Sequence, residues 1–157
     1  MKKWIYLITH GNRHSGPDPR HTAEGLKQIR SLQIPSNIKY VIVGTGTRFQ
    51  EIYEALYPVL PGQAKIIHSI FCGSSDGIEP DGKGILDNGR KVDLETEYIG
   101  LMNPQYFDAW KFVNSFDGDT LLCAGGELMI SLGLKAINEK GHLYELDPED
   151  HTGRMIQ

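Results

Sequence analysis

The apolar residues of this 157-residue chain alternate between short unbroken runs and longer stretches at helical spacing. Residues 4–8 (WIYLI) are a run of strand formers that gives way to a polar, glycine-containing segment, which predicts a strand buried on both faces. Over 22–32, Ala23, Leu26, Ile29 and Leu32 recur with the helical period, Thr22 standing as N-cap and Pro35 closing the unit. The pattern then predicts a strand at 40–43 and a helix at 47–57, opened by a capping box of Thr47 and Gln50 and stopped by Pro58 and Pro61. A third strand is expected at 64–71, followed by a glycine-rich polar loop at 73–89 that is expected to lid a ligand site. Asn103 and Pro104 start a helix reaching Ser115, residues 120–124 read as a strand, and Gly125 and Gly126 as a tight turn. A helix over 127–138, bent near Gly133, and a short strand at 143–146 complete the pattern, and the tail 147–157 carries no periodicity of its own.

Strands alternating with helices imply an α/β protein with three layers, a mostly parallel sheet covered by helices on both faces. Ligands in such sheets bind beyond the carboxyl ends of the strands, which singles out His10, Gly44 and Ala124. The length suits one domain spanning 1–157.

Composition narrows the class of function. With 39% hydrophobic and 23% charged residues and a formal net charge of −4, the chain is an ordinary globular protein without a general nucleic-acid-binding surface. Cys72 and Cys123 lack CxxC spacing, so neither a zinc site nor a disulfide framework is indicated. No run approaches the roughly 18 apolar residues needed to span a bilayer, and the opening run is too short for a signal-peptide core. A cytoplasmic protein with no membrane partner is the expectation.

The chemistry concentrates after the first strand. Thr9-His10-Gly11-Asn12 places an imidazole where the chain leaves the sheet, with a glycine that lets the backbone approach a ligand closely. Thr22-Ala23-Glu24-Gly25-Leu26-Lys27-Gln28 opens the first helix, and Arg48 lies in the first turn of the next. In this order the three segments resemble the histidine phosphatase superfamily, the phosphoglycerate-mutase-like proteins. Their pattern is a strand ending in Arg-His-Gly, then Leu-Thr-x-x-Gly-x-x-Gln, then Ser-x-x-x-Arg. The resemblance covers about residues 3–57. It implies a phosphoglycerate-mutase-like fold, His10 as the nucleophile that becomes phosphorylated, and Arg48 as a clamp on phosphate oxygens, for which a guanidinium fork is well matched. Gly11, Asn12, Arg13, Thr22, Arg48 and Gly125 are the expected phosphate-binding positions.

Four departures bear on activity. Thr9 stands where the family pattern has its first arginine, and Gly44 where it has serine. Cys123-Ala124-Gly125-Gly126 stands where it has Ser-His-Gly-Gly, so the second histidine is replaced by Ala124. The acid after the third strand has no clean match, Asp76 and Glu79 being the nearest substitutes. Arg13, His14, Arg20 and His21 crowd the loop after His10 and can supply replacement charge, each otherwise reading as a solvated loop cation. A metal site from His10, His14 and His21 lacks the helical spacing and carboxylate partners such sites use, so no metal or cofactor is expected. Gly44-Thr45-Gly46 fails the G-x-G-x-x-G pattern at Phe49, although a helix N-terminus still favours an anion. Two main readings remain: a weak phosphomonoester hydrolase acting through a phosphohistidine at His10, or a catalytically inactive relative that binds a phosphorylated metabolite or protein. A nucleotide-binding α/β protein of another family rests on the glycine turns alone.

Overall fold

The computed structural model describes residues 2–15, 18–73, 83–85, 91–93 and 108–157. In chain order its elements are β1 (Ile5–Thr9), α1 (Ala23–Arg30), β2 (Tyr40–Val43), α2 (Thr47–Leu56), β3 (Lys65–His68), β4 (Lys83–Ile85), β5 (Lys91–Asp93), α3 (Ala109–Val113), β6 (Thr120–Ala124), α4 (Gly126–Ser131), β7 (Leu143–Asp147) and β8 (Thr152–Met155). Six strands form one sheet in the order β3-β2-β6-β1-β7-β8, and β4 and β5 pair separately. The β3–β2, β2–β6 and β6–β1 pairings are parallel, whereas β7 and β8 join antiparallel at one edge.

Every residue of β1 and β6 is buried, as an unbroken apolar run at the centre of a sheet requires. Because successive side chains point to opposite faces, each strand feeds two cores. Tyr6, Ile8, Val41, Val43 and Leu121 pack with Ile29 of α1 and with Phe49 and Ile52 of α2. Ile5, Leu7, Ile42, Leu122 and Ala124 pack on the other face with Trp110 and Val113 of α3 and with Leu128 and Met129 of α4. This is the three-layer architecture, each fully buried aliphatic side chain contributing about 1.5–3 kcal/mol of transfer free energy.

Four elements differ from the sequence pattern. The expected strand at 64–71 stops at His68, and Ile70–Cys72 turns into a short 3-10 helix. Gly46, not Thr47, is the N-cap of α2, so there is no capping box; Gln50 instead sends its amide to Thr45 O at 2.9 Å. The helix over 127–138 divides at Gly133, whose φ of +77° ends it, and resumes as the 3-10 turn Lys135–Ile137. The tail folds back as β8, whose half-exposed edge position leaves no apolar alternation to read. Of the expected helix starting at Asn103, the described part is α3, capped by the Asp108 carboxylate on Lys111 N at 3.0 Å.

No helix among the described residues is long and apolar enough to cross a membrane. The expected lid at 73–89, with Asp76 and Glu79, lies almost wholly outside the described residues.

Candidate functional site

His10 is the first residue past β1, where the chain leaves the sheet. Its backbone carbonyl accepts from Gly141 N at 2.9 Å, and its ring Nδ1 lies 2.9 Å from Gly11 O. A carbonyl only accepts, so Nδ1 carries the proton and Nε2 keeps its lone pair. Burial, opposed by the Gly11 hydrogen bond, and the positive charges of Arg48 and Arg13 with His21 push the pKa of His10 down to about 4. At neutral pH the ring is an uncharged imidazole among cations, its Nε2 unprotonated.

The threonine-glycine-glutamine segment holds this loop in place. Thr22 is the N-cap of α1, its hydroxyl accepting from Gly25 N at 3.1 Å and donating to Asn12 O at 3.2 Å, while its own N–H donates to Asn12 O at 2.9 Å. Gln28 Oε1 accepts from Asn12 N at 3.2 Å. That N–H shares a peptide group with Gly11 O, so the bond polarises the carbonyl that fixes His10. The loop and helix meet at two glycines: a Cβ on Gly25 would stand 2.1 Å from Asn12 O, and one on Gly11 would stand 2.7 Å from Gly25 O. Glycine is required at both because the two backbones touch there.

Arg48 enters from the first turn of α2, 3% exposed, with its guanidinium carbon 4.2 Å from the centroid of the Phe49 ring. The Phe49 ring in turn meets the His10 ring edge-on at 6.1 Å. His10 and Arg48, expected from sequence to share a site, are thus brought together around Phe49.

The loop cations divide. Arg13 and His21 form an antiparallel bridge, continued by His14 N donating to Arg20 O at 2.8 Å. Arg13 is half-buried and acts on His10, whereas His14 and Arg20 are exposed. His21 is no solvated cation: it is 5% exposed, Nε2 accepting from Gly11 N at 2.8 Å, with Nδ1 3.1 Å from Glu51 Oε1. The same carboxylate oxygen accepts from His21 N at 2.8 Å. Sequence reasoning missed Glu51; the signal for it was a histidine where the family pattern has an apolar leucine, since a buried imidazole needs a partner. A second carboxylate ties the loop to α2 as well. Asp18, at φ +44°, accepts from Thr47 N at 2.9 Å and from the Thr47 hydroxyl.

The glycine turns direct their N–H groups inward. Gly44 N donates to Cys123 O at 3.1 Å, Thr45 N to Gly73 O at 2.6 Å, and Gly125 N to Cys72 O at 2.9 Å. With Asp18 on Thr47 N, these amides of the α2 and α4 approaches already have protein partners. Among the described residues no three His, Cys, Asp or Glu side chains gather into a metal-binding group. A hollow of about 290 Å³ at the far end of α2, bordered by Tyr53, Tyr57, Leu60 and Ile66, holds no cationic side chain to suit an anion.

No protein-family model matches the chain, and no curated protein sequence matches it. Solved structures do. A phosphoglycerate mutase from Thermus thermophilus is 18% identical, covers 92% of both chains and superposes with a TM-score of 0.53. The putative phosphohistidine phosphatase SixA from Agrobacterium tumefaciens is 10% identical, covering 100% of this chain and 97% of that one, with a TM-score of 0.52. The chain has a phosphoglycerate-mutase-like α/β fold.

Proposed function

We propose that this protein is a slow phosphoryl-transfer enzyme in which His10 Nε2 attacks the phosphorus of a phosphomonoester. The observation that carries the reading is the His10 ring itself, neutral, with Nδ1–H on Gly11 O and Nε2 unprotonated. As the Nε2–P bond forms, the ester P–O bond breaks and the leaving oxygen departs with its electron pair. Water then attacks the phosphohistidine, releasing inorganic phosphate and returning the neutral ring. Arg48 and Arg13 oppose the charge on the transferring oxygens, with Gly11 and Asn12 bordering the same approach. The ligand is a phosphorylated small molecule or phosphoprotein, met in the cytoplasm.

Two features support slow turnover. Thr9 and Ala124 occupy the positions of a family arginine and histidine; the Thr9 hydroxyl is spent on Glu139 O and the Ala124 side chain has no polar atom, so neither position contributes a donor. Losing a single preorganised donor typically costs about 10²- to 10³-fold in rate. The same two residues favour the second reading, a binder of phosphorylated ligands without turnover.

A p-nitrophenyl phosphate assay separates the readings, because that leaving group departs without protonation. Turnover abolished by His10→Ala supports the enzyme. Binding of inorganic phosphate with no turnover and no phosphohistidine supports the binder.

A further inference from the structure

His21 fills the position that the Leu-Thr-x-x-Gly pattern gives to leucine, yet it is a buried imidazole with both nitrogens engaged. Gly11 N–H can only donate, so His21 Nε2 must hold its lone pair, and Nδ1–H therefore donates to Glu51. The connection runs from Glu51 on α2, through His21, to Gly11, whose carbonyl fixes His10 Nδ1. Glu51 lies three residues beyond Arg48 on the same helix, so the relay also sets the distance between the nucleophile and the cation that faces it. His10 and His21 lie edge to face, their ring centroids 6.2 Å apart.

We propose that His21, oriented by Glu51, is a positioning residue that fixes the His10 loop through the Gly11 N–H and releases it when protonated. The inference rests on the phosphoryl-transfer reading of His10. A proton on Nε2 would set a donor against a donor, remove the acceptor from Gly11 N–H, and bring a cation against the His10 ring. The groups facing His21 are Glu51 and Arg48 from α2, His10 beyond β1 and Arg13 across the bridge. Burial lowers its pKa, Glu51 opposes that, and Arg48 lowers it further. No carboxylate among the described residues acts in this way on His10, which is pushed down to about 4. Protonation of His21 Nε2 breaks the Gly11 contact that fixes the loop, so the acid limb of the reaction is assigned to it.

Two readouts test this. In ¹⁵N–¹H spectra of the whole chain, the Gly11 amide should titrate with the midpoint of the His21 ring, and that titration should vanish in His21→Gln. Rates with p-nitrophenyl phosphate should fall about ten- to hundredfold in His21→Leu, a misplacement effect, without loss of the folded spectrum. His21→Gln, whose amide oxygen can accept from Gly11 N–H without titrating, should restore most of that loss and remove the acid limb down to about pH 4. Glu51→Gln should move the limb to lower pH. A Gly11 amide that ignores His21, or His21→Leu with the parent rate and pH profile, overturns the proposal. If the parent protein forms no phosphohistidine, the enzyme reading fails on its own, and the Gly11 titration still decides whether His21 holds the loop.

Discussion

Thr9 and Ala124 face each other as register partners across the parallel β1–β6 pair. These two of the departures from the family pattern are therefore one local change, made at adjacent strand ends beside His10. Thr9 is committed elsewhere: its hydroxyl donates to Glu139 O at 2.5 Å and accepts from His142 N at 3.2 Å, stitching β1 to the chain before β7. Ala124 packs among Cys72, Leu128 and Met129.

Thr9→Val keeps the shape but strands the Glu139 carbonyl and the His142 N–H without their side-chain partner. A destabilisation of about 1–3 kcal/mol is expected, read from urea unfolding. Unchanged stability would mean that Thr9 is not the link between these segments.

Gly25→Ala would place a methyl group 2.1 Å from Asn12 O, against backbone that cannot rotate away. Overpacking of this kind costs about 1–3 kcal/mol, and here the displaced atoms belong to the loop that aims His10. Reduced thermal stability and reduced phosphohistidine formation should appear together. Ala at the exposed neighbour Glu24 should leave both nearly unchanged.

Arg48→Gln removes a positive charge that lowers the His10 pKa, so the His10 midpoint should rise toward 6.5 in an NMR titration. Affinity for inorganic phosphate, followed by calorimetry, should drop about tenfold or more, the range of a charge-assisted hydrogen bond of about 1.5–3 kcal/mol. A His10 midpoint that stays put would separate Arg48 from the site.

Stability should depend on pH with a definite sign. His10 and His21 both have folded pKa values below the unfolded value of 6.5, so the unfolded chain binds more protons as the solution turns acid. The His10 contribution is fully present above about pH 6.5 and is lost as pH falls toward 4, at up to about 1.4 kcal/mol per pH unit, and that of His21 is lost in the same direction. His10→Ala should flatten part of that slope in denaturation curves collected between pH 7 and 4.

Much of the fold was legible because burial writes itself as pattern. β2 and β6 lie where the continuous apolar runs at 40–43 and 120–124 place them, since central strands bury both faces. β8 was not legible: an edge strand with exposed residues carries no such signature. At the site, the spacing of Thr22, Gly25 and Gln28 reflects their contacts with the Gly11-Asn12 backbone, whereas His10 and Arg48 were placed by the resemblance to the family pattern. His21 and Glu51 could not be joined, because a hydrogen bond between residues 30 apart leaves no periodic trace. For the same reason the N-cap of α2 was misplaced at Thr47, whose hydroxyl answers to Asp18 on a distant loop.

Covalent phosphorylation of His10 Nε2 is what separates an enzyme from a binder of phosphorylated ligands. Incubation with p-nitrophenyl phosphate or an acid-labile phosphoryl donor, followed by alkaline quench and mass analysis of the peptide containing residue 10, tests it most directly. The expected result is a phosphate adduct on His10 that survives base, disappears in acid and is absent from His10→Ala. Nitrophenol release with no such adduct, or an adduct that persists in His10→Ala, would contradict it.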